Sequence, residues 1–203
     1  MRGVKRKMLP AIFMDRDGTV SYEVGYVNHP DRYDIMPGSA EAIARINFAG
    51  FLAVVITNQA GVARGYFKEE LIVQVHEKLK RLIAEKAAHL DGIYYCPHHP
   101  EVGEPPYRQR CNCRKPAPGL LLKAQKDLNI DLSRSYIIGD SIKDIETGFN
   151  AGVKSVLVLT GYGKGEYEYG SECWKQKPLH VAQNLQEAVS WILAREGKIE
   201  SEG

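Results

Sequence analysis

The chain has no long apolar run. In its 203 residues the longest one, 50–56, covers about seven residues, whereas a membrane-spanning helix needs roughly 20. Excess charge is also scarce, because 27 lysines and arginines face 25 aspartates and glutamates, which leaves a formal net charge of +2. That balance offers no extended basic surface for nucleic acid. We therefore expect a soluble, cytoplasmic protein that has neither a membrane nor a nucleic acid as partner and binds a small molecule.

One basic cluster, made of Arg2, Lys5, Arg6 and Lys7, precedes the first apolar segment. It lacks the apolar core of a signal peptide, and short terminal segments are commonly poorly ordered. We interpret residues 1–9 as a flexible arm rather than a binding element. The whole chain has a hydrophobic content of 44% and is long enough for one core of ordinary size. A single domain over residues 1–203, present as a monomer, is the expected organisation.

Apolar segments alternate with segments of helical periodicity, a pattern typical of βα units around a parallel sheet. Their β-branched and aromatic content favours buried strands. Predicted strands cover 11–14, 51–57, 93–96, 136–138 and 155–159. Predicted helices cover 39–48, 68–88, 118–128, 143–151 and 184–194, with an irregular stretch at 161–174. The expected fold is α/β, with a single-domain, Rossmann-like parallel sheet flanked by helices.

Two carboxylates follow the first predicted strand, in the segment Asp15-Arg16-Asp17-Gly18-Thr19. Ligands of open α/β sheets bind at the carboxyl edge of the strands, so both acids are expected there. This pair suits phosphoryl transfer, with Asp15 as the nucleophile and Asp17 as the proton donor. Because a carboxylate repels a phosphate dianion, a Mg²⁺ ion is predicted between them. Two solvated acids in a loop are the alternative, since short motifs produce false matches.

Polar side chains also end the second predicted strand, in the segment Thr57-Asn58-Gln59-Ala60. A neutral hydroxyl beside backbone N–H groups can bind a phosphoryl oxygen, although ordinary turn chemistry is the alternative. Lys115 precedes Pro116, which biases the lysine toward an extended backbone. We predict that its ammonium neutralises the phosphate and the aspartyl charge, whereas a solvated surface lysine is the alternative.

A second pair of acids follows the fourth predicted strand. Asp140 comes directly after Gly139, and Asp144 follows four residues later, at the start of a helix. We predict that Asp140 binds Mg²⁺ and that Asp144 accepts a hydrogen bond from Lys115 or from a metal-bound water. Alternatively, Asp144 only complements the helix dipole, a contribution of ~0.3–1 kcal/mol.

Three cysteines and one histidine fall in two short clusters, at 96–98 and 111–113. One nitrogen and three sulfur ligands fill the tetrahedral shell of a structural zinc ion and leave no open position for catalysis. The loop 96–113 has too little apolar content for a core of its own, so a metal is a plausible way to hold it. A disulfide is disfavoured in a cytosolic protein, and Cys111 and Cys113 are too close in sequence to bridge comfortably. The predicted zinc ligands are Cys96, His98, Cys111 and Cys113, with His99 and Cys173 outside the set.

Taken in order, DRDGT, a strand ending in TN, a lysine before a helix and GDSIKD make the chain resemble the haloacid dehalogenase superfamily from residue 11 to about residue 160. The resemblance implies that Asp15 forms an aspartyl-phosphate intermediate and that Asp17 first protonates the leaving oxygen and then activates water. Aspartate at position 17, where related ion-pumping ATPases carry threonine, favours a phosphatase. In this superfamily Thr57 and Lys115 would contact the phosphoryl group. The implied magnesium ligands are Asp15, the Asp17 carbonyl, Asp140 and Ser141.

The segments YYCPHHP, CNCRKP, VGY and TNQAGVARG also resemble the D-glycero-D-manno-heptose 1,7-bisphosphate phosphatase family. This resemblance implies a capless fold and hydrolysis of the C7 phosphate, which leaves heptose 1-phosphate for the ADP-heptose of lipopolysaccharide or other surface glycans. The implied catalytic residues are Asp15, Asp17, Thr57, Arg114 and Lys115. The implied substrate contacts are Asp15, Arg16, Asp17, Glu23, Val24, Gly25, Tyr26, Thr57, Asn58, Gln59, Ala60, Arg114 and Lys115. Val24 and Ser141 depart from the residues often found in that family.

Other functions stay open at the level of sequence. Histidinol-phosphate phosphatases have similar motifs but typically a shorter zinc loop, so the long loop 96–113 favours the heptose enzyme. A polynucleotide 3′-phosphatase is disfavoured because the chain has no concentrated basic surface. A zinc-stabilised binding module without catalysis would lack a nucleophile or an acid, yet Asp15 and Asp17 are both present. Arg64 is either a contact for a second phosphate or a solvated surface arginine.

Overall fold

The architecture is a parallel sheet of six strands, seen in a computed structural model that describes residues 7–198. The strand order is β3-β2-β1-β4-β5-β6, and every neighbouring pair is parallel. The strands are β1 (Ala11–Met14), β2 (Leu52–Asn58), β3 (Gly92–Cys96), β4 (Tyr136–Gly139), β5 (Lys154–Val158) and β6 (His180–Ala182). The predicted fold class and all five predicted strands are confirmed. The sequence analysis missed β6, because its three residues are too few to form an apolar run.

Helices cover both faces of the sheet. They are α1 (Ser39–Phe48), α2 (Glu70–Ala84), α3 (Gly119–Leu128), α4 (Ile142–Ala151), α5 (Gly163–Gly170) and α6 (Leu185–Arg195), with short 3₁₀ turns at Pro30–Arg32, Leu132–Arg134 and Ser171–Cys173. Side chains alternate between the faces along β1, so that Ile12 and Met14 pack toward α1, α2 and α6. Phe13 packs on the opposite face, toward α3. The predicted α/β layering follows from this alternation.

Two helix predictions were inaccurate. The helix predicted over 68–88 ends at Ala84, and Ala87 adopts a left-handed backbone with φ of 54°. The stretch predicted as irregular contains α5, which sequence periodicity alone does not indicate. Tertiary contacts stabilise this helix: the Glu166 carboxylate accepts the Ile142 N–H at 2.6 Å, and Gly163 packs so closely on the Val158 carbonyl that a Cβ there would lie 1.9 Å from it.

The segment predicted as a flexible arm, residues 1–9, is hydrogen-bonded to the rest of the fold at Leu9. Arg2, Lys5 and Arg6 lie outside the described residues, so the prediction for them stays open. Leu9 is held between two backbone hydrogen bonds, because its N–H donates to the Asn129 carbonyl at 3.3 Å and its carbonyl accepts from the Asp131 N–H at 2.9 Å. Within residues 7–198, no helix combines the length and the apolar character that crossing a membrane would require.

Candidate active site

The candidate site lies where the chain reverses its direction of travel across the sheet. From β1 the chain proceeds to β2 and β3 on one side, and it returns to β4 on the other side of β1. The crevice at the carboxyl ends of such strands is the usual ligand site of an open α/β fold. Asp15 directly follows β1, Thr57 and Asn58 end β2, and Asp140 follows β4. The predicted residues of three motifs therefore meet at this edge, as their positions after strands indicated.

A cavity of about 160 Å³ opens at this edge. Eleven predicted site residues line it: Asp15, Asp17, Glu23, Gly25, Tyr26, Thr57, Asn58, Gln59, Lys115, Asp140 and Ser141. Lys143, Asp144 and Tyr162 complete the lining. Four residues predicted as substrate contacts do not line it, namely Arg16, Val24, Ala60 and Arg114.

Lys115 is the buried cation at the floor of the cavity. Its Nζ lies 2.9 Å from Asp15 Oδ2 and 2.6 Å from Asp144 Oδ1. The lysine is 4% exposed. Burial by itself would lower the pKa of Lys115, but Asp144 and Asp15 together raise it, so the side chain stays charged. The solvated-lysine alternative is therefore excluded, and Asp144 accepts from Lys115 as predicted.

Asp144 also takes part in the N-terminal capping of α4. The Ser141 side chain accepts the Lys143 N–H at 3.3 Å, while Asp144 Oδ2 accepts the Ser141 N–H at 3.2 Å. This capping box satisfies backbone donors that a helix start leaves free. The helix-terminal role and the Lys115 contact are thus both present, one on each oxygen of the same carboxylate.

The three carboxylates at the floor would, when all are ionised, carry more negative charge than Lys115 can balance. Oxygen atoms of Asp15, Asp140 and Asp144 all lie within 4.8 Å of one another. Burial raises the pKa of Asp15 to about 7 and that of Asp140 to about 8, and the neighbouring carboxylates add to both shifts. If all three acids are ionised, one ammonium leaves an excess of two negative charges, and a bound cation would offset it. A hard divalent cation fits both this charge and the oxygen donors.

Asp17 is held from two directions. Arg16 donates to its carboxylate through Nε at 3.1 Å and through Nη2 at 2.7 Å. On the cavity side, Gln59 Nε2 donates to Asp17 Oδ2 at 2.8 Å and to Thr57 Oγ1 at 2.9 Å. The Arg16 side chain is therefore buried behind Asp17 instead of facing a ligand. Sequence spacing could not distinguish these two orientations.

The rim of the cavity is formed by the loop after β1 and by the start of α5. Glu23 Oε1 accepts the Gly25 N–H at 2.5 Å, and Tyr26 makes an edge-to-face contact with Tyr66 at 4.7 Å between ring centroids. Tyr162, which the sequence analysis missed, donates its backbone N–H to Asp140 Oδ2 at 2.8 Å. Its position inside a stretch predicted as irregular left no signal for this contact.

The predicted zinc ligands converge in a separate cluster. Cys113 Sγ lies 3.3 Å from Cys96 Sγ, 3.2 Å from Cys111 Sγ and 3.4 Å from His98 Nδ1. The Cys96 and Cys111 sulfurs are 3.6 Å apart, much longer than the ~2.05 Å of a disulfide. With metal–sulfur bonds of about 2.3 Å, tetrahedral geometry places sulfurs roughly 3.8 Å apart. The cluster could therefore hold a metal ion, and no disulfide forms within it.

Two arginines contact the loop 96–113, which carries the predicted zinc ligands. Arg114 Nη1 donates to the His98 carbonyl at 3.2 Å, and Arg64 Nη2 lies 3.3 Å from His99 Nε2. Burial lowers the pKa of His99, and the charges of Arg114 and Arg64 lower it further. Arg114 and Lys115 also line an adjacent hollow of about 410 Å³. Arg114 is thus near the cavity through the hollow that it shares with Lys115, and neither arginine lines the cavity itself.

Comparison with known proteins identifies the family. The family model described as HAD-hydrolase-like matches residues 112–188. A D-glycero-beta-D-manno-heptose-1,7-bisphosphate 7-phosphatase from Pasteurella multocida is 48% identical over 155 residues, which cover 76% of this chain and 84% of that protein. The chain belongs to the heptose-1,7-bisphosphate 7-phosphatase family. The resemblance noted in the sequence is thereby confirmed, as is the predicted enzyme class of phosphoric monoester hydrolase.

Other members of this 7-phosphatase family agree in sequence and in structure. The protein of the same name from Escherichia coli K12 is 44% identical over 156 residues, covering 76% of this chain and 82% of that protein. A crystal structure of D,D-heptose 1,7-bisphosphate phosphatase from B. bronchiseptica, complexed with magnesium and phosphate, matches with a TM-score of 0.81 and 32% identity. The match covers 92% of this chain and 99% of that chain. The fold of the 7-phosphatase family therefore extends across nearly the whole molecule.

Proposed function

We propose that the protein hydrolyses the C7 phosphate of D-glycero-D-manno-heptose 1,7-bisphosphate, releasing orthophosphate and heptose 1-phosphate. The observation that carries the proposal is the contact of Lys115 with Asp15 at the ligand edge, with Asp17 beside it in the same cavity. The names of its relatives supply the substrate. The reaction would take place in the cytoplasm and supply ADP-heptose for lipopolysaccharide or another surface glycan.

The proposed chemistry proceeds in two displacements. An Asp15 oxygen attacks phosphorus, the bond from phosphorus to the C7 oxygen breaks, and Asp17 gives its proton to that oxygen. Asp17 then takes a proton from water, whose oxygen attacks the aspartyl phosphate and frees Asp15. Lys115 stays within 2.9 Å of Asp15 Oδ2 and offsets charge that builds on the phosphoryl oxygens. The Thr57 hydroxyl donates to one of those oxygens.

Magnesium is the proposed cofactor, and the donor set fits it. Asp15, Asp140, the backbone carbonyl of Asp17 and Ser141 would hold the ion. Their hard oxygens, and the negative charge that they carry when ionised, suit a divalent cation. The magnesium and phosphate bound to the relative from B. bronchiseptica support the same choice. When bound, the ion supplies charge neutralisation between the carboxylates and the phosphate.

The remaining predicted contacts divide into two proposed groups. Glu23, Gly25, Tyr26 and Asn58 line the cavity and would surround the sugar, with Val24 and Ala60 contributing through their backbone. Arg114 would bind the second phosphate, since it shares the adjacent hollow with Lys115. Arg16 contacts Asp17 instead of the substrate.

Zinc is the proposed occupant of the cluster formed by Cys96, His98, Cys111 and Cys113. Soft sulfur ligands select zinc over magnesium, and four protein ligands leave no position for substrate. The ion would fix the loop that carries Arg114 and Lys115. Its proposed role in catalysis is therefore indirect.

A substrate panel tests the proposed function. Phosphate release is compared for heptose 1,7-bisphosphate, fructose 1,6-bisphosphate and histidinol phosphate, with Mg²⁺ present throughout. We expect the heptose to have the highest kcat/KM and Asp15→Asn to lose at least about a thousandfold in turnover. A preference for histidinol phosphate would favour that rival phosphatase. A full level of ligand binding with no turnover in the wild type would favour a binding module.

A further inference from the structure

Behind the cavity, a buried chain of side chains leads away from Asp17. Arg16 donates two hydrogen bonds to the Asp17 carboxylate, from Nε at 3.1 Å and from Nη2 at 2.7 Å. The remaining terminal nitrogen of Arg16, Nη1, lies 3.3 Å from Nε2 of His76. Arg16 is 1% exposed and His76 is 6% exposed, so these contacts are shielded from bulk solvent. Neither His76 nor its helix α2 contributes to the chemistry described above.

The contact with Arg16 determines which tautomer His76 adopts. A guanidinium has only donors, so His76 must accept the Arg16 proton at Nε2 and carry its own proton on Nδ1. Burial, reinforced by the charge of Arg16, lowers the pKa of His76 to about 3. The neutral ring that the geometry requires is therefore the form present at neutral pH.

Other contacts fix both partners of this pair. The His76 ring lies 5.7 Å from the Tyr95 ring in an edge-to-face arrangement, and Tyr95 in turn donates to Glu69 at 2.8 Å. The Tyr33 ring lies 5.5 Å from Arg16 Cζ. The guanidinium plane thus has an acceptor at its far end and an aromatic ring nearby. Two parallel hydrogen bonds from one guanidinium, a fork, fix the orientation of the carboxylate that accepts them.

We propose that His76 is a positioning residue for the phosphatase reaction, acting through Arg16 to hold Asp17 where it can protonate the leaving oxygen. The inference deepens the proposed function and rests on it. Without an acceptor at position 76, the buried Nη1 proton of Arg16 has to find another partner, and the guanidinium turns. Asp17 then loses the fork and keeps as side-chain donors only Gln59, at 2.8 Å, and the more distant Ser21 hydroxyl, at 3.5 Å.

The leaving group distinguishes this role from a merely structural one. A sugar alkoxide needs a proton as it departs, whereas p-nitrophenolate leaves without one. Since kcat/KM reports the steps up to release of the leaving group, a displaced Asp17 should lower kcat/KM for an alkyl phosphate and spare it for p-nitrophenyl phosphate. General destabilisation of the fold would lower both values together.

The test uses two variants. His76→Phe keeps an aromatic ring at this position but removes the nitrogen that accepts from Arg16. His76→Gln has an amide oxygen that can accept the same hydrogen bond. His89→Phe is the matched control, because the His89 side chain is 65% exposed and lies 3.7 Å from Asp91. For heptose 1,7-bisphosphate we expect His76→Phe to lose about tenfold or more in kcat/KM. For p-nitrophenyl phosphate the change should stay within about threefold. His76→Gln and His89→Phe should behave like the wild type on both substrates.

Equal losses on both substrates, or His76→Gln as impaired as His76→Phe, would overturn the positioning role. If His76→Phe does not fold, Arg16→Lys takes its place, because it keeps the charge but cannot form the fork, and it should show the same selective loss. The comparison can be made on any alkyl phosphate that the wild type cleaves, so an incorrect sugar assignment does not affect it. If the wild type cleaves no alkyl phosphate, the proposed function is contradicted. The role of Asp17 as the acid that protonates the leaving oxygen is then contradicted as well.

Discussion

Asn58 holds Lys115 by both polar atoms of that lysine's backbone. Its Oδ1 accepts the Lys115 N–H at 3.0 Å, and its Nδ2 donates to the Lys115 carbonyl at 3.2 Å. The end of β2 and the segment before α3 are 57 residues apart in sequence, and this one amide joins them. The ammonium of Lys115 can therefore lie between Asp15 and Asp144 with little freedom of its backbone.

Replacing Asn58 should impair catalysis and stability together. We expect Asn58→Ala to lower kcat by about tenfold and the free energy of unfolding by ~1–3 kcal/mol, because two part-buried backbone groups lose their partner. Urea denaturation and phosphate release measure the two effects. The matched control is Asn150→Ala, since Asn150 makes one exposed bond to the neighbouring Pro116 carbonyl at 2.9 Å. A wild-type kcat in Asn58→Ala would contradict the proposed positioning of Lys115.

Removing zinc should lower turnover even with Mg²⁺ in excess. Cys113 is two residues from Lys115, and Arg114 donates to the carbonyl of the predicted ligand His98. We expect a chelated sample, or Cys111→Ala, to lose about tenfold in turnover as Arg114 and Lys115 become free to move. Metal analysis and phosphate release are measured on the same samples.

Cys173→Ala is the control for that experiment. Cys173 is an exposed cysteine outside the cluster, so its replacement should leave zinc content and turnover unchanged. Full turnover in a folded sample shown to be free of zinc would reject the link between the cluster and the active site.

Gly18 should tolerate no side chain. Its φ is +83°, and a Cβ there would lie 2.1 Å from Asp140 Oδ2. Gly65 has a similar φ of +72° with nothing within 4 Å of a Cβ, so Gly65→Ala measures the cost of the backbone conformation alone, ~1–2 kcal/mol. We expect Gly18→Ala to lose at least about 1 kcal/mol more and to require more Mg²⁺ for half-maximal turnover. Equal losses of stability in the two variants, with unchanged Mg²⁺ dependence, would show that Asp140 moves away freely.

Acidification should destabilise the wild type through His76. Burial first, and Arg16 second, lower the pKa of His76 from 6.5 to about 3. Below pH 6.5 the unfolded chain therefore takes up a proton that the folded chain rejects until about pH 3, so stability falls as the pH falls through this window. At pH 5 the loss amounts to ~2 kcal/mol. Urea denaturation at pH 7.5 and pH 5 should show a smaller drop for His76→Gln than for the wild type. Identical drops would mean that His76 titrates normally in the fold.

Much of the site could be predicted from local sequence, because each motif directly follows a strand. Apolar runs identified β1, β2 and β4, and in a parallel sheet the residues after such strands meet at one edge. Asp15, Thr57 and Asp140 were placed together on that ground. The convergence of Cys96, His98, Cys111 and Cys113 was predictable for a similar reason: ligand type and spacing limit the geometries that four residues can adopt.

Only the tertiary structure decided how the side chains of the site are oriented and which residues far apart in sequence are in contact. Arg16 lies behind Asp17 instead of facing a substrate, and there it contacts His76, which is 60 residues away. The helix at 163–170 depends on Glu166 reaching the start of α4, and its own composition does not favour a helix. Local sequence thus determined which chemical groups reach the sheet edge, because strand ends are fixed by short-range patterns. Packing between distant segments decided where those groups point, because burial and hydrogen-bond satisfaction depend on neighbours that periodicity cannot reveal.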